Sequence, residues 1–246
     1  IERMRKEMSR VLVGQEPLLD GLLIALLCVG HVLVEGVPGL AKTTAVKSFA
    51  RVLGLSFRRI QFTPDLLPAD LLGTQLYDPQ RSQFRLHGGP LFQQIVLADE
   101  INRAPGKVQS ALLEAMEERQ VTLAGQTLPL PRPFLVMATQ NPVEQEGVYP
   151  LPEAQLDRFM LKLRVDYPSP EEELRIVEQR TRGGVELEAV LDTERLERLM
   201  RTVHEVHVER AIASYAVALV GASRTRPRVR LGGSPRASVY LVDACP

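Results

Sequence analysis

The sequence predicts an α/β fold in which a central parallel sheet is flanked by helices and followed by a small all-helical unit. Three stretches carry this expectation. His31 to Thr44 reads HVLVEGVPGLAKTT, a short apolar run, a glycine-bearing turn and then a Lys-Thr-Thr that can open a helix. Gln94 to Glu100 reads QIVLADE and Phe134 to Asn141 reads FLVMATQN, two further apolar runs that stop at polar groups. Apolar runs too short for helices and bounded by turn residues have the pattern of strands buried on both faces.

The first run feeds a phosphate cradle. Gly36 to Thr43 matches G-x-x-x-x-G-K-[ST] at every position but one, because Ala41 stands where the second glycine is usual, and Gly39 adds a glycine inside the turn. Backbone N–H groups of such a turn point at anionic oxygens and the following helix presents its positive end. Gly36, Val37, Pro38, Gly39, Leu40, Ala41, Lys42, Thr43 and Thr44 are therefore the candidate nucleotide-binding residues, with Lys42 as the point charge and the Thr43 hydroxyl as a Mg²⁺ ligand. The alternative is an ordinary strand, turn and helix with a surface lysine. The order of the three elements favours nucleotide.

Composition bounds the rest. A chain of 246 residues with 45% hydrophobic content can bury a large core, as one large domain or two of unequal size. Thirty basic and thirty acidic side chains cancel, so no global field argues for nucleic acid. Cys28 and Cys245 lack metal-ligand spacing and fit a reducing, cytoplasmic compartment. No apolar run reaches about 18 residues, so no membrane insertion is expected. The chain begins at Ile1 rather than Met, which is compatible with a removed leader.

From the start, residues 1–10 are helix-compatible, residues 11–17 form a bend, and Leu18 to Cys28 is an apolar helix. After the cradle, Thr44 to Leu53 has helical spacing and Ser56 to Phe62 is a second strand, which completes a βαβ unit. The text from Leu66 to Leu91 is less regular, with a hairpin around Asp78-Pro79. Asp70 to Gly73 imitates a D-x-x-G motif without its context and is read as chance. The QIVLADE strand ends in Asp99 and Glu100. Neighbours on a strand point to opposite faces, so both acids can serve one site only where the strand turns. Asp99 is then placed to hold hydrated Mg²⁺ and Glu100 to polarise the water that attacks the γ-phosphate. Val108, Leu112 and Met116 mark the core face of a helix, and Val121 to Leu130 reads as a hairpin around Ala124-Gly125. Asn141, at the end of the third core strand, would lie on the nucleotide edge of the sheet. A plain turn cap before Pro142 is the alternative.

At this point the motifs GVPGLAKT, VLADEINRAP, ATQNPVEQEG, LPEAQLDRF and GGSPRA, in this order, closely resemble the signatures of MoxR-type ATPases within the AAA+ superfamily. The likeness covers nearly the whole chain, and Ala41 is itself the usual residue of that family's loop. The resemblance implies ATP and Mg²⁺ as cofactors and hydrolysis of ATP in a homo-oligomer, a hexameric ring. It implies that Asn141 is the sensor positioning the lytic water, Arg158 the finger reaching a neighbouring subunit's nucleotide, and Arg236 the second sensor touching phosphate in cis. Val13, Gly14 and Gln15 look like the adenine-covering segment. The two hairpins look like insertions facing a central pore. Protein clients matured in a chaperone-like way, or by metal insertion, and a von Willebrand factor A domain partner are the family's usual company. A magnesium-chelatase ATPase subunit, a DNA motor and an ATP switch without turnover are the competing readings. No nucleic acid is expected, because Arg81 and Arg85 stand without interleaved aromatics or lysine clusters.

The arginines also admit plainer roles. Arg158 can pair with Asp157 or Glu153 on a surface. Arg236 follows Ser234-Pro235, a helix start, where a cation opposes the helix dipole unless an anion compensates. Residues 1–166 are expected to form the nucleotide-binding α/β domain and 167–246 a helical lid, truncated at its C-terminal end. Ser169, Pro170 and Glu172 make a capping box at the lid's first helix.

Overall fold

The computed structural model describes residues 1–37, 39–141, 147–181 and 185–244. Five parallel strands form the central sheet in the order β2-β5-β8-β1-β9: β1 is Val32–Glu35, β2 Phe57–Gln61, β5 Ile95–Asp99, β8 Leu135–Gln140 and β9 Leu161–Arg164. The three expected apolar runs are its middle strands, and their buried residues divide by parity. Val32, Val34, Ile95, Leu97, Leu135 and Met137 enter one core with the helices α1 (Glu2–Met8), α2 (Glu16–Leu27) and α3 (Lys42–Val52). Leu33, Val96, Ala98, Val136 and Ala138 enter the other, with α5 (Gly106–Glu118). Alternation of side chains across a pleated strand gives this split, and only a strand covered on both faces needs apolar residues at every position. The edge strands β2 and β9 instead carry exposed Arg58, Arg59, Lys162 and Arg164, charges that discourage further pairing.

Most expected elements are present. β3 (Gly73–Asp78) pairs antiparallel with β4 (Gln83–Gly88), and β6 (Gln120–Leu123) with β7 (Gln126–Pro129). Three short elements were not foreseen: α4 (Pro68–Leu72), a 3-10 turn at Ile101–Arg103 and α6 (Glu153–Leu156). Each is too short for periodicity to show. The bend expected through Pro17 ends earlier, because α2 starts at Glu16 and accommodates Pro17 in its first turn, where a missing N–H costs nothing.

Beyond residue 166 the described elements are helices: α7 (Pro170–Thr181), α8 (Thr193–His204), α9 (Arg210–Thr225) and α10 (Pro235–Ala244). The capping box forms at α7, with Ser169 N–H donating to Glu172 Oε2 at 2.8 Å and Glu172 N–H to Ser169 Oγ at 3.3 Å. These helices are tied to the sheet layer. Leu187, Leu196 and Met200 are buried in the core that holds α2 and α3, and Cys28 Sγ lies 3.1 Å from the carbonyl oxygen of Asp243.

Candidate active site

A cavity of about 310 Å³ lies where the C-terminal ends of β1, β5 and β8 meet the N-terminus of α3. This edge of a parallel sheet is where α/β folds bind ligands, because the loops there diverge and the helix N-termini point in. Gly36 leaves β1 with its N–H donated to Gln140 O at 3.3 Å, and a Cβ on it would come 2.6 Å from the carbonyl oxygen of Val165. Only glycine fits between these strand ends. Gly39 has φ +87° and an added Cβ there would meet nothing, so the turn opens into space. Ala41 takes φ +54°, the left-handed conformation that makes glycine usual at this position.

Ala41 is also the N-cap of α3 and supplies no side-chain bond, so no capping side chain satisfies the first-turn N–H groups beside the cavity. Lys42 reaches in and donates from Nζ to Gly36 O at 2.7 Å. Burial lowers the Lys42 pKa, while the charges of Asp99 and Glu100 raise it in opposition. An anion entering here would gain the charge with little further cost of ordering the side chain.

Asp99 and Glu100 both line the cavity. The turn required for two adjacent acids to share a site is found at Glu100, whose φ is +58°. A left-handed non-glycine residue costs energy and persists where its surroundings hold it. Here Thr139 on β8 holds it, accepting Glu100 N–H at 2.9 Å and donating its hydroxyl to Asp99 Oδ1 at 2.6 Å. Asp99 Oδ2 accepts two bonds from Arg59, at 2.9 and 2.7 Å. Glu100 Oε2 accepts from Gln61 Nε2 at 2.7 Å and lies 3.1 Å from Arg103 Nε. Asn141, nearly buried, and Gln140 complete the wall at the end of β8.

The structure therefore gathers Gly36, Gly39, Leu40, Ala41, Lys42, Thr43, Asp99, Glu100 and Asn141 around one space. Val37 packs against the core instead, Thr44 does not line the cavity, and Pro38 lies outside the described residues. Residues 142–146 of the Asn141 motif also lie outside them. Val13 and Gly14 sit apart from this cavity, and a Cβ on Gly14 would fall 2.3 Å from Glu172 Oε1 at the start of α7.

Arg236, expected to touch phosphate in cis, is engaged elsewhere in this structure. It does not line the cavity of its own subunit. Its NH2 group donates to Glu117 Oε1 at 2.5 Å, and its NH1 lies 3.7 Å from Asp157 Oδ2. The anion that compensates a cation at this helix start is thus a pair of carboxylates. Arg158 shares the same partner, donating from Nε to Glu117 Oε2 at 2.6 Å, and does not pair with Asp157 or Glu153. Glu153 is taken by Arg230. Four residues at these two places escaped the sequence reading: Arg59, Gln61, Thr139 and Glu117. Strand pairing brings Gln61 level with Asp99, and nothing in a single sequence reports which strands are neighbours.

The donor set suits a nucleoside triphosphate with Mg²⁺. Uncapped amides and Lys42 suit phosphate oxygens, while the Thr43 hydroxyl and the Asp99 carboxylate are hard oxygen ligands that would hold the metal through its shell.

Residues 31–161 match the family described as the ATPase family associated with various cellular activities (AAA). The chain is 50% identical to chaperone MoxR1 of Mycobacterium tuberculosis, over 99% of its own length and 67% of that protein. It is 32% identical to protein MoxR of Methylorubrum extorquens, over 98% of its own length and 78% of the relative. A solved structure of an inferred ATPase from Cytophaga hutchinsonii, 42% identical, is similar with a TM-score of 0.91 over 98% of this chain and 77% of that one. With the cradle, the paired acids and the strand order already in place, these likenesses settle the family: the chain belongs to the MoxR family of AAA+ ATPases.

Proposed function

We propose that the chain hydrolyses ATP at this cavity and, in a ring of identical subunits, uses the nucleotide state to remodel protein clients. One observation carries the hydrolytic reading. Glu100 is fixed through Oε2 alone, and among the described residues its Oε1 makes no hydrogen bond. A carboxylate anchored by one oxygen with the other turned free into a cavity can accept a proton from water at a defined place. The cradle amides and Lys42 would bind and orient the phosphates, and Asn141 would hold the water against Glu100. Mg²⁺, held by Thr43 and Asp99, would supply charge stabilisation to the phosphoryl group.

Neither Arg158 nor Arg236 lines this cavity. Both project from one surface around Glu117, which favours a single role for the two: stabilising charge on the nucleotide of a neighbouring subunit. In this reading Val13, Gly14 and Gln15 would cover the base. Residues 167–246 would be the lid whose position follows the nucleotide. The β3–β4 hairpin exposes Leu76, Tyr77 and Phe84, with the two rings 5.2 Å apart, and such an apolar tip suits contact with an unfolding client. The chaperone sense follows the name of the Mycobacterium tuberculosis relative. A von Willebrand factor A domain partner and metal insertion extend the proposal by the family resemblance.

Two variants test it. Glu100→Gln should retain ATP and lose turnover, read by filter binding beside phosphate release. Lys42→Ala should weaken ATP binding by about 10- to 150-fold, as expected for a lost charge-assisted bond of about 1.5–3 kcal/mol. Normal hydrolysis by the first variant would place the base elsewhere. Unchanged affinity in the second would remove the cradle from nucleotide binding.

A further inference from the structure

Glu117 stands at the C-terminal end of α5, the helix that begins a few residues after Glu100. Each of its carboxylate oxygens takes one arginine: Oε2 the Nε of Arg158 at 2.6 Å, Oε1 the NH2 of Arg236 at 2.5 Å. Both bonds hold the Glu117 pKa below the usual range, Arg158 contributing most, and partial burial opposes them. The carboxylate is therefore charged at neutral pH and each guanidinium has a fixed partner.

The way Arg158 is gripped is informative. A guanidinium has five N–H donors, one on Nε and four on its terminal nitrogens. Glu117 uses the Nε side, and among the described residues the two terminal nitrogens of Arg158 make no hydrogen bond. The end of the fork that suits a phosphoryl group is left open. The Tyr240 hydroxyl on α10 donates to the carbonyl oxygen of Arg158 at 3.3 Å, so α10 reaches this residue directly as well as through Glu117. Two cations this close would otherwise repel and splay.

From this geometry we propose that Glu117 is a positioning residue, which clamps Arg158 and Arg236 side by side so that both are presented together to the neighbouring subunit's nucleotide. The proposal rests on the shared-site reading above. It adds that α5 carries Glu117, which holds the pair, at one end and follows the catalytic glutamate at the other, so one helix joins a subunit's own site to its contribution next door. Glu117 does not touch the substrate. Its loss should lower turnover through disordered arginines and leave nucleotide binding in the cradle intact.

The test uses rings of the full-length protein mixed from pairs of variants. Glu100→Gln with Arg158→Ala is the control, because some interfaces then join an intact Glu100 to an intact Arg158. Glu117→Ala alone should keep ATP affinity within about 2-fold and lose at least 10-fold in kcat, and Glu117→Asp should recover part of it. Mixed with Glu100→Gln, Glu117→Ala should regain activity, since its own Glu100 meets intact arginines. Mixed with Arg158→Ala it should not, since both variants are defective on the arginine side. A merely structural lesion would not sort in this way, and melting curves with Glu117→Gln as a second variant show whether the fold is kept. If the control fails, the shared site itself is wrong and the clamp falls with it. If the control succeeds but Glu117→Ala turns over normally, regains activity with Arg158→Ala or fails to regain it with Glu100→Gln, the clamp alone is overturned.

Discussion

Thr139 donates its hydroxyl to Asp99 Oδ1 at 2.6 Å and accepts the Glu100 N–H at 2.9 Å. One buried hydroxyl on β8 thus fixes both acids at the end of β5, and the left-handed turn at Glu100 depends on it. The two strands are parallel neighbours in the sheet, so these bonds cross between adjacent strand ends.

Thr139→Val keeps the shape and removes both bonds. The Glu100 N–H is then left without its partner, and destabilisation of about 1–3 kcal/mol is expected. Because Glu100 would also lose its backbone anchor, kcat should fall more than ATP affinity. Chemical denaturation and steady-state kinetics on the same preparation read the two effects. Loss of affinity with unchanged kcat would place the hydroxyl's role in binding the nucleotide.

Arg59 competes for the carboxylate that would serve the metal. Its two bonds occupy Asp99 Oδ2, and its side chain is about half exposed while that of Asp99 is mostly covered. Arg59→Gln removes a cation from beside the metal position. A pair of this exposure is worth about 1 kcal/mol, so the Mg²⁺ concentration that half-saturates ATP binding should drop about five-fold. Without Mg²⁺ the same variant should bind ATP more weakly, because the site has lost positive charge. Fluorescent-nucleotide titrations with and without Mg²⁺ give both numbers, and shifts in the same direction would contradict the competition.

The sheet was legible because its middle strands are apolar at every position, and the cradle because its turn chemistry is local. Ala41 shows the limit of such reading. As a departure from the glycine pattern it looks like a defect, yet its φ of +54° shows alanine occupying the same left-handed conformation. Ala41→Gly should therefore be neutral to slightly stabilising, since relief of about 1–2 kcal/mol of left-handed strain is largely offset by the greater freedom of the unfolded chain, about 0.4–1 kcal/mol. Arg59, Thr139 and Glu117 were illegible for a different reason. Each acts through a partner 40 or more positions away, as Arg158 lies 41 from Glu117, and such pairing is decided by strand order and helix packing. For Arg236 a helix start argues for an anion without saying whose, and here Glu117 supplies one.

His31 also had no visible purpose in the sequence, and its surroundings give it one. It is buried beneath β8, with Nδ1 accepting the Val136 N–H at 3.0 Å and Nε2 lying 3.2 Å from the carbonyl oxygen of Met116. This arrangement needs the neutral ring, with the proton on Nε2, since a proton on Nδ1 would face another donor. Burial pushes the His31 pKa down from 6.5 to about 4, outweighing the Met116 hydrogen bond, and Arg119 adds to the lowering. The unfolded chain therefore takes up the proton first as the pH falls. Stability from neutral His31 is complete above about pH 6.5 and is lost progressively toward pH 4, by about 3 kcal/mol in total. His31→Gln can make both bonds with a group that does not titrate, so subtracting its denaturation profile from that of the parent chain isolates this contribution. The difference should be flat above pH 7 and slope against the parent chain between pH 6.5 and 4. Parallel profiles across that window would show that the ring is already protonated or is reached by water in the folded state.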